Sequence, residues 1–365
     1  MTTSASPRRP PQLERVLVVG TSPLAVRIVE ELKSMSPPRY EYVGVVGDVP
    51  AGGLPASLAP QLGTLEALPR MIATIEVERV IVALPDQELP VRRLLQARAR
   101  GVRFDWARDI YERVTGKIAI EELTPYDVIF SRERRTSRAV AALARAAGVI
   151  SASLALLLLS PLLAAIALAI RVDSPGPIFF VQDRVGRGGR PFRLLKFRTM
   201  RSVSRPASEW VRDNGHRITR VGRWLRRFRL DEIPQLVNVV RGDMNLVGPR
   251  PHPAVNYPLL ATVMRNTPES GAEIPFYSLR TLVRPGITGW AQIRYGYANG
   301  VEEEVEKLRY DLYYLKHQSV WLDVSILAET FGAVCFGKTF DGAASPTPRA
   351  RSGAILAFRK NQAHK

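Results

Sequence analysis

Between Arg145 and Arg171 the chain carries no charge, reading AAGVISASLALLLLSPLLAAIALAI. About 25 residues at ~1.5 Å rise make a helix of roughly 37 Å, longer than the ~30 Å of a hydrocarbon core. No other feature restricts the fold as strongly, because a soluble core helix rarely sustains such length without a polar face. Ser160 and Pro161 interrupt it midway. A proline there removes one helical hydrogen bond and clashes with the preceding turn, so a bend is expected at this pair. Both flanks are basic, with Arg132, Arg134, Arg135, Arg138 and Arg145 before the run and Arg171, Arg184, Arg187, Arg190, Arg193, Lys196 and Arg198 after it. Positive flanks stay on the cytoplasmic side. A straight span would put one flank on the wrong side, whereas a re-entrant helix bending at Ser160 and Pro161 satisfies both.

Upstream, apolar runs alternate with helical patterns. Arg15 to Gly20, Tyr42 to Val46, Val80 to Leu84 and Val102 to Asp105 read as strands. Leu24 to Lys33, Leu65 to Ile75 and Glu88 to Ala99 read as helices between and after them. This alternation implies an α/β, Rossmann-like domain with a parallel sheet. The first turn, however, is Gly20, Thr21, Ser22, Pro23, Leu24, Ala25. A dinucleotide site wants a second glycine where Ser22 stands, so a structural or regulatory role is favoured over cofactor binding.

Downstream, Ile178 to Gln182 and Phe192 to Arg198 read as a β-hairpin with a cationic, glycine-rich tip that suits either contact with anionic lipid or a solvated basic loop. Ile218, Val221, Leu225 and Phe228 mark one helical face, and Pro234 opens the next helix. Asp231 and Glu232 fall between, in or just before a first helical turn. Such a position suits N-capping and the helix macrodipole as well as chemistry. Val301, Val305, Leu308, Leu312 and Leu315 predict a core helix with Glu302, Glu303, Glu304 and Glu306 turned away. Trp321 to Phe340 is apolar but carries Asp323 and Glu329, which suits the membrane interface better than its interior. The expected layout is a tail over 1–13, the Rossmann-like domain over 14–130, linker and re-entrant helix over 131–172, an α+β membrane-associated catalytic domain over 173–340 and a disordered tail over 341–365.

Several long stretches also resemble a known family. SPGPIFFVQDRVGRGGRPFRLLKFRTM from Ser174, LDEIPQLVNVVRGDMNLVGPRP from Leu230, RPGITGWAQIRYGY from Arg284 and the Ser160-Pro161 pair are similar to the bacterial sugar transferases, monotopic phosphoglycosyl transferases. The segment RYGY with KLRYDLYYLKH looks most like the branch that initiates exopolysaccharides. The resemblance implies transfer of a sugar 1-phosphate from a UDP-sugar, UDP-glucose or UDP-galactose, to undecaprenyl phosphate with release of UMP. It makes Asp231 the nucleophile that carries a sugar-phosphate ester and Glu232 an anchor for Mg²⁺. Lys196, Arg198, Arg226, Arg250, Pro249 and Pro251 are the implied substrate-binding positions, with Asp243 and Asn245 read chiefly as turn formers. It also implies the cytoplasmic face of the bacterial inner membrane, and a homo-oligomer is compatible with it. Two departures stand out. Members with a Rossmann-like domain usually carry membrane helices ahead of it, whereas the first strand here starts at Arg15, and the Arg-x-x-Asp opening of the membrane helix is not met at Arg138.

The net charge of +18 calls for anionic partners, and phosphate-bearing substrates and anionic lipid both qualify. Nucleic acid is disfavoured, because no reading motif accompanies the charge and the apolar run has no place in such a protein. The single cysteine, Cys335, excludes an internal disulfide and reads as a small buried or membrane-facing residue. The rival to an enzyme is a catalytically inactive scaffold that binds nucleotide or lipid, suggested by the degraded glycine turn.

Overall fold

Short β-branched runs such as RVIV and ERVLVV have side chains stiff at χ1 that pack well on a pleated surface, and they form the centre of a parallel sheet. In the computed structural model, residues 13–49, 52–84, 91–98, 101–120, 123, 138–201, 216–258, 276–295 and 301–336 are described. The two tails, the basic residues at 132–135 and the end of the last apolar segment at 337–340 lie outside them. The chain divides into two compact units, Met1–Thr124 and Pro125–Lys365.

In the first unit, β1 (Glu14–Val19), β2 (Tyr40–Val46), β3 (Gln61–Gly63), β4 (Arg79–Val82) and β5 (Arg103–Trp106) lie in the order β3-β2-β1-β4-β5, every pair parallel. The helices are α1 (Pro23–Ser34), α2 (Leu68–Thr74), α3 (Val91–Arg98) and α4 (Ala107–Thr115). Strand alternation sends Val16 and Val18 into one core with Leu24, Ile28 and Ile110 of α1 and α4. Leu17 and Val19 enter another with Leu68, Ile72 and Leu94 of α2 and α3. Helices therefore cover both faces. At the end of β1, Gly20 has φ +106°, and a Cβ there would meet the Ala83 carbonyl oxygen at 2.5 Å, so its glycine serves backbone packing. Ser22 caps α1 by accepting from the Ala25 N–H at 3.3 Å.

In the second unit, α5 (Arg138–Leu158) and α6 (Ser160–Asp173) are separate helices meeting at Leu159. Within α5, Ala139–Leu158 is long and apolar enough to cross a membrane, with Ile150, Leu154, Leu157 and Leu158 exposed. The break has a local cause. Pro161 has no N–H for the Leu157 carbonyl four residues back, and the Ser160 hydroxyl donates to that carbonyl at 2.8 Å instead. Near its start, α5 is tied to the rest of the unit by Arg145. Its guanidinium donates to the Met244 carbonyl (2.7 Å), to Asn245 Oδ1 (3.1 Å) and to the Val239 carbonyl.

Antiparallel β6 (Phe179–Val185) and β7 (Pro191–Phe197) form the expected hairpin. After it come α7 (Arg220–Arg227), a 3-10 turn over Leu230–Glu232, α8 (Gln235–Arg241) and β8 (Asn245–Val247). The chain then continues through α9 (Phe276–Leu279), β9 (Gly286–Thr288), α10 (Trp290–Tyr295), α11 (Val301–His317) and α12 (Val320–Phe336). Of the apolar face predicted for α7, Val221 and Leu225 pack against Ile166, Ile170 and Phe197. Ile218 instead bridges to Met200, ahead of the helix. On α12, Trp321, Val324 and Phe331 are exposed, while Ile326 is buried against Val247 and Tyr314.

One expectation fails on α11. Glu304 does not face solvent; it is buried, 3.3 Å from His252 Nε2 and 3.7 Å from Lys307 Nζ. A run of glutamates reads as a solvated face, but the lysine one turn on and an imidazole from another segment bring this one inside.

Candidate functional site

Asp231 and Glu232 occupy the 3-10 turn between α7 and α8, entered through Arg229 at φ +52°, the one non-glycine residue with positive φ among those described. A left-handed arginine is strained, and such residues persist where surroundings over-determine them, commonly at functional sites. The turn gives the two neighbours different environments. Asp231 is partly exposed, whereas Glu232 is buried.

Two other segments converge on Glu232. Lys196, near the end of β7, places Nζ 3.0 Å from Glu232 Oε1, and Arg250, after β8, places Nη2 2.9 Å from the same oxygen. Both hydrogen bonds that Glu232 accepts among the described residues therefore go to Oε1. Arg226 of α7 stands close enough to Asp231 to stabilise its charge, its Nε donating to Thr199 Oγ1 at 2.9 Å.

The positions of these residues follow from close backbone packing. A Cβ on Gly222 would meet the Thr199 carbonyl oxygen at 2.2 Å, so only glycine lets α7 lie against the end of the hairpin. A Cβ on Gly286 would meet the Gly248 nitrogen at 2.1 Å, which seats β9 on the strap that carries Arg250. Asn238, fully buried, spans α8 and β7, accepting from the Leu195 N–H at 3.1 Å and donating to the Arg193 carbonyl at 2.8 Å. Lys196 is thereby held opposite Glu232.

The electrostatics separate the two carboxylates. Burial raises the Asp231 pKa and the Glu232 charge raises it further, against the pull of Lys196, Arg226 and Arg250. Burial alone would also raise Glu232, but Arg250, Lys196 and Arg229 outweigh it and hold that carboxyl well below its ordinary range. Burial lowers the Lys196 pKa, partly offset by Glu232. Asp231 is thus a carboxyl pushed up by its surroundings and restrained by three cations.

Not every candidate joins this centre. Arg198 is buried and engaged elsewhere, donating to the Pro175 carbonyl (2.9 Å), the Ser174 carbonyl (2.7 Å) and Ser174 Oγ (2.9 Å) at the end of α6. Its substrate-binding reading does not match this geometry. Since β7 ends at Phe197, strand alternation does not carry Arg198 to the face of Lys196. Pro249 and Pro251 are buried and act through their carbonyls, Pro249 accepting from the Gly286 N–H (3.0 Å) and Pro251 from Arg184 Nη1 (3.0 Å). Asp243 accepts from Asn238 Nδ2 at 3.1 Å and Asn245 from Arg145, so both are structural. Sequence reasoning missed Thr199, Arg229 and the buried group of His252, Arg280, Glu304, Lys307 and Asp311. The spacing of Glu304, Lys307 and Asp311, three and then four residues apart along one helix stripe, was the available signal.

As a magnesium ligand set, the pair fits. No group of three or more His, Cys, Asp or Glu side chains suited to a metal occurs among the described residues. Mg²⁺ needs only one or two carboxylates when substrate phosphates complete its shell, and Glu232, ionised with Oε2 to spare, is such a donor.

Comparison with known proteins agrees with the stretches quoted above. The family model described as bacterial sugar transferase matches residues 139–337, more than half of the chain. The chain belongs to the bacterial sugar transferase family. Among relatives of this chain, the UDP-N-acetylgalactosamine-undecaprenyl-phosphate N-acetylgalactosaminephosphotransferase of Aeromonas hydrophila is 38% identical over 231 residues, covering 63% of this chain and 52% of that protein. The UDP-glucose:undecaprenyl-phosphate glucose-1-phosphate transferase of Escherichia coli (strain K12) is 32% identical over 317 residues, 86% of this chain and 66% of that protein. The exopolysaccharide production protein PSS of Rhizobium leguminosarum bv. phaseoli is 39% identical over 197 residues, 53% of this chain and 93% of that protein. The chain thus spans between 52% and 66% of the first two relatives' length.

Proposed function

We propose that this sugar transferase moves a sugar 1-phosphate from a UDP-sugar to undecaprenyl phosphate through an ester on Asp231, initiating an exopolysaccharide. The observation that carries the reading is the division of two adjacent carboxylates, one partly open and one buried between Lys196 Nζ and Arg250 Nη2. Asp231 Oδ attacks the β-phosphorus of the donor. The bond from that phosphorus to the bridging oxygen breaks, and UMP leaves with the oxygen. A phosphate oxygen of the lipid then attacks the same phosphorus, the Asp231–phosphorus bond breaks, and the product is the lipid diphosphate sugar with the carboxylate restored.

An ionised aspartate needs no general base for this attack. The obstacle is charge, since a carboxylate and a phosphate at ~4 Å repel by about 4 kcal/mol at an effective dielectric near 20. That is worth roughly a thousandfold in rate. Lys196, Arg226 and Arg250 supply the opposing field, and the planar fork of an arginine suits two phosphate oxygens at once. Mg²⁺ bound at Glu232 Oε2 would neutralise more of the diphosphate charge. The buried pair of cations on Oε1 keeps Glu232 in the ionised form this needs.

A re-entrant α5–α6 bent at Ser160 and Pro161 would hold this chemistry at the cytoplasmic face of the inner membrane, within reach of a soluble donor and a lipid acceptor. The first unit is read as Rossmann-like, with no ligand assigned. UDP-glucose or UDP-galactose is the proposed donor class, although the Aeromonas relative is named for N-acetylgalactosamine. The test is UMP release by purified protein from a panel of UDP-sugars with Mg²⁺ and undecaprenyl phosphate. Asp231→Asn should abolish it; release unchanged in that variant would refute the covalent route, and no release from any donor would favour an inactive scaffold.

A further inference from the structure

Opposite Lys196, across the hairpin, an aromatic ring stands in the open. Phe180 pairs with Lys196 in the antiparallel register of β6 and β7, and residues so paired share a face with Cβ atoms roughly 5 Å apart. Lys196 is turned in to Glu232, whereas Phe180 is 47% exposed and its neighbours Phe179 and Val181 are 43% and 41% exposed. We propose that this stretch of β6, centred on Phe180, seats the first isoprene units of the acceptor's hydrocarbon chain, with the acceptor phosphate beside Lys196; the proposal rests on the transfer to a polyprenyl phosphate argued above.

The rest of the same strand edge is covered. The Val185 N–H donates to the His252 carbonyl at 2.9 Å and the Ala254 N–H to the Asp183 carbonyl at 3.1 Å, so the segment after Arg250 closes the edge of β6 over 183–185. Beside 179–181, β7 is the only strand paired with β6 among the described residues. An unpaired edge carrying three adjacent exposed apolar side chains favours an apolar partner.

Alternation gives this stretch two different sets of neighbours. Phe180 lies on the face of Lys196. Phe179 lies on the opposite face, stacked on Phe197 at 5.4 Å between centroids, and Phe197 packs on Ile166 and Ile170 of α6. Leu168 and Val172, also on α6, are exposed. Apolar surface therefore leads from a cation of the site, over the edge of β6, to the helix that follows the break at Ser160 and Pro161. The two substrates differ in what they would place there. The donor is polar along most of its length, and its hydroxyls would lose water against phenylalanine without gaining a partner. The acceptor joins a phosphate to a hydrocarbon chain, and a cation with an exposed ring at its side matches both parts.

Steady-state kinetics of the full-length protein in mixed micelles test this. Phe180→Ser should raise KM for undecaprenyl phosphate about tenfold, the scale for uncovering one large apolar side chain, while KM for the UDP-sugar holds. A donor KM that rises as much as the acceptor KM, or more, would assign the ring to the nucleotide sugar and overturn the proposal; so would an acceptor KM that stays put. Photolysis on the unmodified protein removes any effect of folding. A polyprenyl phosphate carrying a diazirine in its first isoprene units should label residues 179–181, and undecaprenyl phosphate should compete that label away. Label found only elsewhere overturns the proposal. Label at 179–181 that undecaprenyl phosphate leaves in place overturns it too, since it marks bulk lipid contact rather than an acceptor seat. If competed label maps to β6 while no UDP-sugar yields UMP, the transfer reading fails and the lipid seat stands. Asp231-dependent transfer to the lipid with label mapping elsewhere gives the reverse.

Discussion

The two units bury different things. The first packs Val16, Val18, Leu17, Val19, Ile28 and Ile81 on a parallel sheet, and its buried polar side chains among the described residues are Arg79, Glu112 and Lys117. Arg79 sits between Glu14 and Asp105 at the start of its strand, a neutralised group at one end of the sheet's central strands. The second unit buries Arg198, Glu232, Asn238, Arg280, Glu304 and Asp311 within or beside its site. One unit is held by shape and the other by charge balance. Apolar burial tolerates modest change at each position, whereas a buried ion left without its partner is penalised sharply.

That contrast can be attacked from either side. The largest effect is expected at Lys196, where Lys196→Met removes one of the cations that offset the carboxylate–phosphate repulsion of about 4 kcal/mol, so UMP release should fall by a hundredfold or more. Its pH dependence should change as well. Asp231 must be ionised to attack, and with its pKa raised, activity should climb with pH through a limb above the ordinary aspartate value. Losing Lys196 should move that limb further upward, and a profile that stays put would show that Lys196 does not act on Asp231.

Next is Asp311→Ala, which leaves the buried Arg280 uncompensated and should cost about 3–5 kcal/mol in chemical denaturation of the second unit. Burial pushes Asp311 up to about 6 despite Arg280, so its folded form binds a proton more readily than its unfolded form. Its contribution to stability is therefore fullest below the unfolded pKa and is lost as pH rises through about 6. In the variant this part of the pH dependence should vanish. Ile28→Ala in the first unit should cost about 2–5 kcal/mol through a cavity and leave UMP release unchanged, read by denaturation and assay side by side. The smallest effect belongs to Thr219, whose hydroxyl accepts from the Gly222 N–H at 2.9 Å to cap α7; Thr219→Ala should cost about 1 kcal/mol.

Legibility in the sequence followed the same division. The β-strands of the first unit appear as apolar runs and lie within a residue or two of their expected places, because side-chain burial and sequence periodicity report the same thing. Gln61–Gly63 escaped, being three residues long with only Leu62 to mark it. In the second unit, the Asp231–Glu232 pair and its company of Lys196, Arg226 and Arg250 were legible through motifs. Their partition was not, since a left-handed Arg229 and convergence from β7 and the proline strap decide which carboxylate is buried. Arg198 and Glu304 misled for a shared reason. A charged side chain reads as surface or as site, and the sequence does not reveal a helix end or a histidine waiting to receive it.

The central claim is that Asp231 becomes covalently attached to sugar phosphate. Purified protein incubated with a radiolabelled UDP-sugar and Mg²⁺, without lipid acceptor, should release UMP in proportion to enzyme and retain the sugar phosphate on the peptide containing Asp231. Adding undecaprenyl phosphate should discharge it. UMP released only when the lipid is present, with no labelled peptide at any time, would contradict the account.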